Sequence, residues 1–134
     1  LQMGEIVITV GGGGIPVIEE ADGTLSGVAA VIDKDLAAER LAEDIGADTL
    51  LILTSVPQVA LHYGTAQQRD LAALTVDEAR QYIAEGHFAP GSMLPKIEAA
   101  VLFAASGTGR RAIIAQLSEA TLALAGQAGT AITA

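Results

Sequence analysis

The sequence predicts an α/β layer structure built around a mainly parallel sheet. Uninterrupted aliphatic runs such as Thr49-Leu50-Leu51-Ile52-Leu53-Thr54 have no polar face, as expected of strands covered by helices on both sides. Between such runs lie helical stretches of about 10–15 residues, each opened or closed by a capping signal. The chain has 134 residues, 51% of them hydrophobic and 17% charged, which is one domain with enough apolar surface for a core. Small residues, glycine and alanine above all, imply elements that pack closely. The order of the strands is not readable.

The elements follow in turn. Residues 5–10, Glu5-Ile6-Val7-Ile8-Thr9-Val10, read as a buried strand that ends at Gly11-Gly12-Gly13-Gly14. Ile15-Pro16-Val17-Ile18 resumes extended structure, and Asp22-Gly23 marks a tight turn, so residues 15–30 read as an irregular hairpin or flap. Ala29-Ala30-Val31-Ile32 is strand-like. Asp33 can then cap a helix to Ile45, with Leu36, Leu41 and Ile45 among its apolar positions and Gly46 as its stop. Residues 49–54 form the second strand. Thr75-Val76-Asp77-Glu78 is a capping box for a short helix that Gly86 closes. Pro95 suits the first position of a helix reaching Ala105, with Ile97, Val101 and Leu102 facing inward. Ala112-Ile113-Ile114-Ala115 is a third buried strand, Ser118 caps a last helix to Ala125, and Gly129-Thr130 leads into a short final strand.

Composition excludes several functions. The net charge is −9, and it is uneven: residues 1–67 carry 2 basic and 10 acidic groups, residues 68–134 carry 5 and 6. Phosphate backbones would repel such a chain, so no nucleic-acid partner is expected. With no cysteine there is no disulfide scaffold, thiolate zinc site or cysteine nucleophile. No apolar run reaches the ~20 residues of a membrane span, so no membrane partner is expected. The chain opens without a methionine or a basic leader and moves directly into a strand pattern. It is therefore expected to be a piece of a longer, cytoplasmic protein.

Three segments could carry chemistry. A glycine run after a strand lets backbone N–H groups approach an anion. Gly11 to Gly14 lack the lysine of a P-loop and the helix start of a dinucleotide fingerprint, so a strained turn without ligand stays open beside an anion loop. Asp33-Lys34-Asp35 places a lysine at the head of a helix, where a solvated side chain is the plain alternative to a phosphate grip. Gly91-Ser92-Met93-Leu94-Pro95-Lys96 puts a second lysine in a first helical turn, where the macrodipole is unfavourable to a cation unless an anion is near. Lys34 and Lys96 are the only lysines. Together the three segments favour phosphate or nucleotide binding. The arginines read as surface charges, His62 and His87 lack metal-ligand spacing, and Glu19-Glu20 and Glu43-Asp44 are solvated edges, so no metal site is expected.

The three segments, in this order and spacing, resemble the carbamate kinase family of the amino-acid kinase superfamily. The resemblance rests on Gly11-Gly12-Gly13-Gly14-Ile15-Pro16-Val17, Val31-Ile32-Asp33-Lys34-Asp35 and His87-Phe88-Ala89-Pro90-Gly91-Ser92-Met93-Leu94-Pro95-Lys96-Ile97-Glu98-Ala99-Ala100. It spans nearly the whole chain but only the C-terminal, nucleotide-binding half of the family. It implies a three-layer αβα fold on an eight-stranded sheet, a homodimer, and phosphoryl transfer between ATP and carbamate, or from carbamoyl phosphate to ADP. It implies Lys96 on the transferring phosphoryl group, Lys34 on the nucleotide phosphates, Asp35 holding the lysines, and Asp33 beside the substrate. Gly11, Gly12, Gly13 and Gly14 would face the transferring group. Thr54, Ser55, Val56, Gly91, Ser92, Met93 and Pro95 would line the nucleotide, with Mg2+ held mainly by the phosphates.

Three departures stand out. Ser55-Val56-Pro57 replaces the family's usual Asp-Val-Asp, His62-Tyr63-Gly64-Thr65 replaces Asn, an aromatic, Gly and Lys, and Ala131 replaces an arginine. Two other readings therefore stand beside the kinase. One is a non-catalytic nucleotide-binding module or decayed paralogue. The other is a sister amino-acid kinase acting on another carboxylate or on a nucleotide. Alone, the chain is expected to lack kinase activity.

Overall fold

A computed structural model describes residues 4–134. Its centre is a four-stranded sheet of β3 (Thr49–Thr54), β7 (Arg111–Gln116), β8 (Thr130–Thr133) and β6 (Ala73–Thr75), in that spatial order. β3 and β7 run parallel from Thr49 opposite Arg111 to Thr54 opposite Gln116. β8 is antiparallel to β7 and parallel to β6, so the sheet is mixed, with two of its three pairings parallel. Two hairpins stand apart, β1 (Val17–Glu19) with β2 (Leu25–Gly27), and β4 (Val59–Leu61) with β5 (Arg69–Leu71).

The strands alternate faces, and this builds three layers. Ala112 and Ile114 of β7 join one core with the helices α1 (Lys34–Asp44), α2 (Val76–Ala84) and α3 (Met93–Ala105). Ile113 and Ala115 point the other way, onto Ala123 of α4 (Ala120–Leu124). The αβα arrangement is as the resemblance implies, with four of the implied eight strands in this sheet. α1 packs on α3, where Ala42, Ala99, Ala100 and Ala104 are all buried, so small side chains bring the helices close.

Several elements match expectation. Asp33 caps α1 by accepting from the amides of Asp35 (2.8 Å) and Leu36 (3.2 Å). The capping box at Thr75 is complete in both directions. The flap at residues 15–30 is the β1–β2 hairpin, whose turn holds Asp22 against Thr24.

Others differ. Residues 5–10 are not a strand: no described strand pairs with them, and Ile6 and Ile8 are 97% and 98% exposed. A β-branched run needs a neighbour to satisfy its amides before it can become a strand. Ala29–Ile32 is irregular for the same reason. α3 begins at Met93, with Pro95 inside its first turn, where a missing N–H costs nothing. Ile45 and Leu102 are each half-exposed, because the alanines have taken the interhelical positions. Ser118 lies within a 3-10 turn, Leu117–Glu119, and caps nothing; α4 starts only at Ala120.

Two buried residues are titratable, Asp35 and Glu39. Glu39 of α1 is 6% exposed, and its Oε1 has no hydrogen-bond partner. Burial, reinforced by the carboxyl of Glu43, pushes it up from 4.5 to about 7. Folding thus favours the protonated acid. Its stabilisation is full below the unfolded value and is lost as pH rises through the folded one. Thermal melts should therefore show stability falling between about pH 4.5 and pH 7, and Glu39→Gln should flatten that fall and raise the midpoint at the alkaline end. An unchanged slope in the variant would remove Glu39 as its source.

Candidate functional site

The parallel pair β3 and β7 determines where chemistry can gather. α1 leads into β3 and α3 into β7, so both helices run back along the sheet and open at the strands' C-terminal edge. Ligands of α/β sheets bind at that edge. There Lys96 Nζ, in the first turn of α3, donates to Asp35 Oδ2, in the first turn of α1, at 2.8 Å. Lys34 Nζ stands 3.9 Å from the same oxygen.

The two lysines differ in freedom. The side chains of Lys96 and Asp35 are only 14% and 10% exposed, whereas that of Lys34 is 61% exposed. Asp35 supplies the anion that a first-turn lysine needs, so Lys96 is held and Lys34 can swing. Two ammonium groups and the carboxylates of Asp33 and Asp35 meet at two helix N-termini, each with a partial positive charge of its own. In a chain of net charge −9 both lysines are gathered at this one place. Asp33 spends Oδ1 on the helix cap.

The glycine run lies against the same helix mouth. Gly13 has φ 84° and is buried, and a Cβ there would stand 2.3 Å from the carbonyl oxygen of Ile32, the residue before Asp33. Only glycine fits. The Gly13 N–H closes a turn onto Val10 (3.1 Å), while Gly11, Gly12 and Gly14 are exposed.

A cleft of about 190 Å³ opens at the start of α3. Thr54, Ser55 and Val56 line it from the end of β3, and Ser92 and Met93 from the start of α3. Gly91 (φ 69°), Pro95, Lys34 and Lys96 are not on its wall. Met93 and Lys96 are three residues apart on α3, so wall and ammonium share one helix face.

Sequence reasoning missed part of that wall. Tyr63, from the β4–β5 turn, and His87 and Phe88, from the α2–α3 connection, also line it. The His87 ring packs edge-on against His62 (4.7 Å) and Tyr82 (5.6 Å), and its Nε2 lies 3.1 Å from Glu85 Oε2. The local signal was Tyr63 in a polar turn, one of only two tyrosines. Among the described residues no group of three or more acidic or histidine side chains could hold a metal ion, and no helix is long and apolar enough to cross a membrane.

Known proteins are similar to this chain. The carbamate kinase-like protein YqeA of Escherichia coli K12 is 54% identical over 132 residues, which is 98% of this chain and 42% of that protein. The carbamate kinase of Pyrococcus horikoshii is 53% identical over 133 residues, 99% of this chain and 42% of the relative. The chain thus spans about two-fifths of the length of the curated relatives it matches. Among solved structures, carbamate kinase from Giardia lamblia bound to AMP-PNP superposes with a TM-score of 0.86 at 44% identity, covering 91% of this chain and 42% of that one. The profile described as Amino acid kinase family matches residues 1–116, a span that takes in the glycine run, both lysines and most of the sheet. By motif, fold and extent of match, this chain belongs to the amino acid kinase family.

Proposed function

We propose that this chain is the C-terminal, nucleotide-binding half of a carbamate kinase. The complete protein transfers phosphoryl between ATP and carbamate, or from carbamoyl phosphate to ADP. The observation that carries the reading is Asp35 between two ammonium groups at adjoining helix mouths, with a cleft that opens at the start of the helix bearing Lys96. Phosphoryl transfer needs positioning and charge neutralisation more than covalent chemistry. Lys96, held by Asp35, meets the transferring group; Lys34 follows the nucleotide phosphates. The cleft takes base and ribose against Thr54, Ser55, Val56 and Met93, with Gly91, Ser92 and Pro95 shaping the approach. Gly11, Gly12 and Gly14 close the acyl-phosphate side, with Gly13 as their anchor. Asp33 positions that side through the helix it caps. Mg2+ would be held mainly by the nucleotide phosphates and would supply charge neutralisation there. The working protein is a cytoplasmic homodimer.

Calorimetric titration with ADP tests the reading. Saturable binding to the chain is expected, together with no phosphoryl transfer from ATP to carbamate by the chain alone. Absence of ADP binding would favour a decayed module, for which Ser55 and Pro57, in place of two carboxylates, are the specific motive.

A further inference from the structure

The β4–β5 hairpin forms part of the cleft wall, through Ala60 and, at its turn, Tyr63. It is outside the four-stranded sheet, and something must hold it in place. Val59 and Leu71 face each other at its base. The hydroxyl of Thr130, a fully buried residue of β8, bridges them: it accepts from the Val59 amide at 2.8 Å and donates to the Leu71 carbonyl. One side chain, 71 residues from Val59 in sequence, satisfies both strands where the hairpin opens. Beside it, Gln58 Nε2 donates to the Gly129 carbonyl at 3.0 Å.

We infer that Thr130 is a positioning residue for the nucleotide, acting through the hairpin rather than by touching the ligand. This rests on the nucleotide reading of the cleft. Without the hydroxyl, a buried amide and a half-buried carbonyl lose their partner, and the strands can meet them only by shifting or by admitting water. Either response moves Ala60 and the turn that carries Tyr63. The lysine pair is held independently, by Asp35, and stays in place.

Thr130→Ala and Thr130→Ser form the test, because both lose the methyl group and only the serine keeps the hydroxyl. ADP should bind the serine variant within about threefold of the unmodified chain, and the alanine variant about tenfold more weakly. Amide exchange should quicken across residues 59–71 in the alanine variant alone. Equal ADP affinity in the two variants, both folded, overturns the inference. The exchange measurement needs no ligand, so if ADP fails to bind even the unmodified chain, hairpin exchange still decides whether Thr130 is the clamp. Should the alanine variant not fold, exchange in the unmodified chain decides: ADP must slow the Val59 amide, and an unchanged rate overturns the inference.

Discussion

In a polypeptide of the relatives' length carrying this segment, Lys96→Ala is expected to lower kcat by about 100- to 1,000-fold, as removal of one pre-placed donor typically does. The residue is the better placed of the two lysines. Asp35 fixes its ammonium at 2.8 Å with 14% of its side chain exposed, so it stands ready without reorganising. Lys34 is on the same carboxylate oxygen at 3.9 Å but largely in solvent, and its loss should appear mostly as weaker nucleotide binding. Lys96→Arg is the informative control: it keeps the charge but replaces a compact ammonium with a planar fork that cannot reproduce the contact. Steady-state kinetics and ADP titration on the three variants check this. Near-normal turnover in Lys96→Ala would take the residue out of the mechanism. Folding should survive, since Asp35 keeps Lys34 within reach.

The largest effect on stability is expected at Gly129. Its φ is 81°, and a Cβ would lie 2.8 Å from both the Ala115 Cβ and the Ile114 carbonyl oxygen, in β7 directly alongside. Neither obstacle is the end of a flexible side chain, so β8 would have to move. Gly129→Ala combines left-handed strain of about 1–2 kcal/mol with overpacking of about 1–3 kcal/mol. For a domain of this size the sum corresponds to a fall in Tm of about 10 °C. Gly126→Ala separates the two causes: its φ is 75°, but nothing lies within 4 Å of the added atom, so only the strain remains. Thermal melts of both variants should differ clearly. Equal midpoints would show that the strand accommodates the methyl group.

What could be read ahead of the structure was whatever is decided within one turn or one strand. Asp33, Thr75 and the 49–54 run carry their own instructions: a cap needs only the next three amides, and a doubly apolar strand needs cover on both faces. Residues 5–10 failed because a strand is a relation between two segments, and the sequence names only one of them. Leu102 and Ile45 misled because inward positions went to alanine, so the largest apolar side chain was not the most buried. The site divided the same way. Lys34, Asp35 and Lys96 announced themselves by charge at helix starts. That one oxygen of Asp35 would serve both lysines depended on how α1 packs on α3, which no local pattern encodes. Tyr63 and His87 escaped because the cleft wall joins a hairpin and a loop 24 positions apart.

The fit of Gly13 against Ile32 has a mechanical meaning. The polypeptide leaves that point at residue 14 and returns to it by residue 31, so everything between is an excursion with its ends stapled together. A closed excursion can be lengthened, shortened or recoded at its far end at small entropic cost. Gly13, by contrast, admits no side chain. Variation in this stretch can therefore drift freely at the tip while the head of the following helix stays where Asp33 requires it.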